Sequence, residues 1–91
     1  MSERAIAKAT IVNKLGLHAR PAMVFVDLAS TFQSEVKVSK DDYEVDGKSI
    51  MMMMMLAAGK GSVLSILAEG PDAEQAVAAL KKLVDSGFDE D

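Results

Sequence analysis

The chain has 91 residues, 49% of them hydrophobic and 26% charged, and no cysteine, which excludes a disulfide scaffold, a thiolate metal cluster and a thiol nucleophile. Ten Lys and Arg against fourteen Asp and Glu give a net charge of −4, with three Phe, one Tyr and no Trp, so the chain offers neither the basic face nor the stacking platform of a nucleic-acid binder. The length is that of one small domain spanning residues 1–91; the longest apolar run, Ile50 to Ala58, falls far short of the roughly 20 residues of a membrane span.

The start, Met1-Ser2-Glu3-Arg4, has no secretory signal and points to the cytoplasm. Residues 5 to 12 alternate with period two, placing Ala5, Ala7, Ala9 and Ile11 on one face and Lys8 and Thr10 on the other, as in a half-buried antiparallel strand. Asn13 to Gly16 reads as a loop. From Ala19 the period becomes helical, with Ala22, Phe25, Val26, Ala29 and Phe32 on one stripe and Pro21 in a first turn that tolerates its missing N–H. This helix is expected to end near residues 30–32.

Glu35 to Lys40 alternates again, with Val36 and Val38 inward; Asp41-Asp42 turns the chain into a short strand, Tyr43 to Val45. After Asp46-Gly47, Ser49 is placed to cap a short helix through about Ala57, which Gly59 and Gly61 end. Ser62 to Glu69 forms the fourth strand, with Leu64, Ile66 and Ala68 on one face. Asp72 with Gln75 three residues on has the form of a capping box. The last helix follows, with Ala73, Ala76, Val77, Leu80, Leu83 and Val84 at helical spacing, until Ser86-Gly87 stops it; Asp89-Glu90-Asp91 is read as a frayed acidic tail. The order β-α-β-β-α-β-α predicts an α+β fold, an open-faced sandwich with a four-stranded antiparallel sheet and three helices on one face.

One segment carries chemistry. Gly16-Leu-His-Ala-Arg-Pro-Ala22 holds the only histidine. A lone histidine is ordinarily a surface residue without a role, but this one falls at or near the N-cap of a helix, where free amides and the helix dipole favour an anion. The amides of Ala19 and its neighbours would meet a phosphate on the ring, and Arg20 can add charge-assisted bonds. No acidic residue lies between Glu3 and Asp27, whereas Lys14 and Arg20 do. A neutral imidazole nitrogen can attack phosphorus, and the phosphoramidate keeps a good leaving group for the next transfer. Gly16 would let the loop backbone approach closely and orient the ring. Because phosphoryl transfer is mostly positioning and charge stabilisation, a shallow site suffices when a partner supplies donor and metal. No cofactor or metal site of the chain's own is expected.

The segment Gly16 to Ala22 resembles the active-site signature of HPr, the histidine phosphocarrier family of the phosphoenolpyruvate-dependent phosphotransferase system. The similarity runs over essentially the whole chain, including Asp46-Gly-Lys-Ser-Ile-Met51 and Gly70-Pro-Asp72. It implies phosphorylation of His18 Nδ1 by enzyme I, steadied by Arg20, and transfer to an EIIA-type acceptor for sugar uptake or regulation. The chain would be a monomeric carrier with a phosphohistidine intermediate rather than a stand-alone enzyme. Asn13 to Met23 and Ser86 to Asp91 also look like NPr, the carrier of the regulatory nitrogen branch, whereas Gly47-Lys-Ser-Ile50 is closer to HPr proteins with a regulatory serine. In the resemblance Ser49 matches the residue that HPr kinase/phosphorylase modifies in many bacteria; transcription regulators are the further partners of that branch of control.

Met51 to Met55 are five consecutive methionines. At about 100° per residue they sweep past a full circle, so they cannot all face the core. Met53 with Leu56 is the best inward pair, and Ile50, Met51 and Met54 match positions that the family presents to partners. Met23, outward on the first helix, extends the same docking surface; flexible, polarisable methionine suits a surface that fits several proteins in turn. The plainer readings are an over-apolar helix and an incidental exposed side chain. Three function classes remain: a phosphocarrier, an allosteric module controlled by the state of His18 or Ser49, and a hydrolase using His18. The last lacks a second acid–base residue.

Overall fold

The computed structural model describes residues 3–88; the tail of three acidic residues lies outside them. β1 (Glu3–Thr10), β2 (Glu35–Lys40), β3 (Tyr43–Asp46) and β4 (Val63–Gly70) alternate with α1 (Ala19–Ala29), α2 (Ile50–Met55) and α3 (Ala73–Asp85) in the expected order. β4 pairs antiparallel with β1 on one side and β2 on the other, and β3 completes the sheet, giving the order β1-β4-β2-β3. β1 and β2 therefore run in the same direction without touching. The strand formed last in the sequence separates them.

The period-two pattern decides which face is covered. Ala7, Ile66, Val38 and Val45 lie across the four strands in one register row, and Ala5, Ala68 and Val36 in the next; these belong to the core or pack against it. The opposite face carries Arg4 against Glu69 and Lys37 against Asp46. On β1 the inward side chains are all alanines, and α3 lies on β1 and β4 through Ala73, Ala76, Val77, Leu80 and Val84. Small residues on both partners let the helix approach the sheet closely. α1 buries Ala22, Phe25, Val26 and Ala29, the predicted stripe, and packs against α2 and α3. Among the described residues, no helix is long and apolar enough to cross a membrane.

One capping expectation is corrected. Asp72 is the residue before α3, but its side chain makes no cap hydrogen bond and no capping box forms with Gln75. The carboxylate instead accepts from the backbone N–H groups of Gln33 and Ser34, both at 2.9 Å, and from the Ser34 hydroxyl at 2.5 Å. Three donors to one carboxylate, charge-assisted, outcompete a local cap. They are within reach because Gly70, at φ +149, lies so close to Ser34 that a Cβ there would be 2.6 Å from the Ser34 Cα.

The Ser34 hydroxyl and the Gln33 amide hold the Asp72 carboxyl below the ordinary carboxylate range. A folded-state value below the unfolded one means that the clamp contributes fully at neutral pH and is lost as the pH falls through the depressed value. Asp72→Asn is expected to lower the melting temperature at neutral pH. That deficit should shrink steadily as the pH drops below about 4; thermal melts of both proteins across an acid series measure it.

Candidate functional site: the loop-to-helix junction at His18

The segment that follows β1 is held from inside. Asn13 is buried, and its side-chain amide donates to the Gly16 carbonyl at 2.7 Å, while the Gly16 N–H donates to the Asn13 carbonyl at 3.2 Å. Gly16 takes φ +70, and a Cβ on it would lie 2.6 Å from the Ala58 carbonyl oxygen and 2.8 Å from the Gly59 Cα. The next residue ties down the same strip of chain: the Leu17 N–H donates to the Ala58 carbonyl at 2.9 Å, and the Leu17 side chain is buried. Residues 13–17 are thus fastened to the segment that leaves α2.

His18 follows at the start of the helix. Its N–H donates to the Gly16 carbonyl at 3.0 Å, its carbonyl accepts from the Ala22 N–H at 3.0 Å, and its backbone is extended at φ −85, ψ −170. That is the N-cap position of α1, where the side chain makes no cap hydrogen bond, and the residue is half-buried. Pro21 has no N–H to satisfy, so the amides of Ala19 and Arg20 are the donors at the mouth of the helix. Ala19 and Arg20 are both exposed, and no acidic residue sits in the first turn. The junction sets an imidazole, the first amides of a helix and a guanidinium side chain on three consecutive residues, His18, Ala19 and Arg20, and helix-end amides together with a guanidinium suit an anion.

The other predicted positions fall on α2 and the outer side of α1. Ser49 is the N-cap of α2, and its hydroxyl accepts from the Met52 N–H at 3.2 Å, so the capping role is present. Met53 and Leu56 are buried, as the helical rotation predicts. Ile50, Met51, Met54 and Met55 are exposed on α2, and Met23 is exposed on α1. Gly16, His18, Ala19 and Arg20 come together at one junction. Ser49 stands at the far end of α2, about 9 Å of helix away from the exit that Gly16 touches.

The sequence model described as the PTS HPr component phosphorylation site matches residues 6–86. The chain belongs to the HPr family. The phosphocarrier protein HPr of Neisseria meningitidis serogroup A is 51% identical over 80 residues, 88% of this chain and 90% of that protein. The phosphocarrier protein NPr of Escherichia coli K12 is 44% identical over 82 residues, covering 89% and 91%. Among solved structures, HPr from Thermoanaerobacter tengcongensis superposes with a TM-score of 0.91 at 46% identity, covering 96% of this chain and 98% of that one. The α+β sandwich and the phosphocarrier family are both established by these likenesses.

Sequence reasoning missed the supports of this HPr fold that reach across it. Lys40 Nζ donates to the Leu56 and Ala57 carbonyls, at 3.4 and 3.3 Å, closing the C-terminal end of α2 just before the strip on which the His18 loop rests. Lys48 Nζ donates to the Phe32 carbonyl at 2.8 Å and holds the turn after α1. Both lysines satisfy carbonyls that a helix or turn leaves open, at separations of 16 and 17 residues. Ala57, at φ +51, turns the chain out of α2 ahead of both expected glycine breakers.

Proposed function

We propose that His18 Nδ1 accepts a phosphoryl group from phospho-enzyme I, derived from phosphoenolpyruvate, and passes it to an EIIA-type acceptor in the cytoplasm, the chain acting as a monomer. The observation that carries this reading is the placement of His18 at the N-cap of α1, in a chain whose family is defined by a phosphorylation site. In the transfer the ring nitrogen forms a bond to phosphorus as the donor's phosphorus–nitrogen bond breaks, and the reverse exchange hands the group on. Ala19 and Arg20 amides and the Arg20 guanidinium stabilise the equatorial oxygens; Gly16 keeps the loop seated. Met23, Ile50, Met51 and Met54 form the surface that both partners cover in turn.

Arg20→Ala is expected to slow transfer from enzyme I by about tenfold to a hundredfold, measured by rapid-quench labelling. Arg20→Lys recovers only part of the rate, because a lysine lacks the planar fork that grips two oxygens. Ser49 is proposed as the regulatory acceptor for HPr kinase/phosphorylase: a phosphate there would place about two negative charges beside Ile50 and Met51 and weaken apolar docking.

The likeness to NPr favours a second reading, a regulatory carrier of the nitrogen branch that acts on regulators rather than on sugar transport. Incubation with phosphoenolpyruvate, magnesium and purified enzyme I of each branch separates the two. Faster labelling by the sugar-branch enzyme supports uptake, and faster labelling by the nitrogen-branch enzyme supports regulation. No label from either overturns the carrier reading.

A further inference from the structure

The methionines of α2 and α1 hold a second chemistry. The chain has seven methionines and no cysteine, so thioethers are its only oxidisable sulfur. On α2 the exposed residues Ile50, Met51, Met54 and Met55 span an arc of roughly 140° at the helical rotation of about 100° per residue, while Met53 and Leu56 point to the opposite side and are buried. Relative exposure is 75% for Met51, 56% for Met55, 49% for Met23 and 44% for Met54, against 0% for Met53. Three accessible thioethers therefore stand on the outer face of α2 and a fourth, Met23, on α1, the helix that packs against it, while the inaccessible Met53 in α2 provides an internal reference.

We propose that this face is a reversible oxidation site, at which peroxide converts Met51, Met55, Met23 and Met54 to sulfoxides and thereby weakens docking to phosphoryl donors and acceptors. The sulfur attacks one peroxide oxygen, the O–O bond breaks, and the second oxygen leaves as water after taking up the proton. The sulfur is oxidised and the peroxide reduced. A methionine sulfoxide reductase returns the thioether, its dithiol closing to a disulfide as water leaves. Each sulfoxide replaces a flexible apolar group with a polar, chiral one, and at Met23, Met51 and Met54 it does so on the docking surface proposed above. The inference rests on the docking role proposed above; the ring of His18 itself is untouched by it.

Graded hydrogen peroxide followed by peptide mass spectrometry tests the site. Met51 is expected to oxidise first, then Met55, Met23 and Met54, with Met53 last. The rate of labelling by enzyme I should fall about tenfold on full oxidation of the exposed four and return after treatment with methionine sulfoxide reductases. A variant with leucine at positions 23, 51, 54 and 55, compared with its own untreated form, should show an oxidised-to-untreated rate ratio near one. Oxidation of Met53 as fast as Met51 overturns the site, and an unchanged rate with sulfoxides on all four overturns its effect. A chain inert to enzyme I before any peroxide overturns the carrier reading instead, while the order of sulfoxide formation is still read from mass alone.

Discussion

His18→Ala abolishes the acid-labile phosphate that enzyme I and phosphoenolpyruvate place on the chain; this is the expected result, and the loss should be complete rather than partial. No other histidine exists to take over, and the hydroxyl of Ser49 lies at the opposite end of α2 from the segment that holds the histidine loop. The chemistry separates the two acceptors as well. A phosphorus–nitrogen bond on imidazole breaks in acid, whereas a serine ester survives it. Intact mass before and after mild acid, with circular dichroism showing that the variant is folded, makes the measurement. Acid-labile label persisting in His18→Ala overturns the assignment of the nucleophile.

The second large effect belongs to Gly16. An alanine there must adopt φ +70 and place its Cβ 2.6 Å from one backbone oxygen and 2.8 Å from a backbone carbon. Neither neighbour is a side chain that can swing away. The left-handed backbone costs about 1–2 kcal/mol and the overlap about 1–3 kcal/mol, so Gly16→Ala should destabilise the fold by roughly 2–5 kcal/mol in urea unfolding. If the loop lifts from Ala58 to relieve the overlap, the Leu17–Ala58 bond is lost and His18 moves relative to the Ala19 and Arg20 amides. Labelling by enzyme I is then expected to fall by at least about tenfold even in the fraction that remains folded. A variant with parental stability and rate would show that the contact with residues 58–59 does not hold the ring.

How far the sequence alone reached depends on the range of the interaction. Alternation in β1, β2 and β4, and the stripes of α1 and α3, depend on neighbours within a turn or a pleat, so Ala5, Val36, Ile66, Phe25 and Leu80 fell where periodicity put them. The position of His18 and Arg20 at the start of α1 was legible because Pro21 and the change of period mark a helix start there. Asp72 was misread because its true donors, Gln33 and Ser34, are 39 and 38 residues away, and a local pattern contains no trace of them. Lys40 and Lys48 passed unnoticed for the same reason: a lysine on a strand gives no sign that a distant carbonyl awaits it. The need for Gly16 was visible as backbone freedom; what fills the space beside it, Ala58 and Gly59, was visible only in three dimensions.

The threading of β4 between β1 and β2 has a consequence for how the protein is made. While the chain is being synthesised, the first two strands have no common partner, and the strip at residues 58–59 that steadies the histidine loop emerges about forty residues after it. A ribosome-bound fragment ending before Val63 therefore cannot close its sheet, and long-range pairing of this kind is completed late. The sheet that carries the histidine loop is therefore complete only once the last third of the polypeptide has been made.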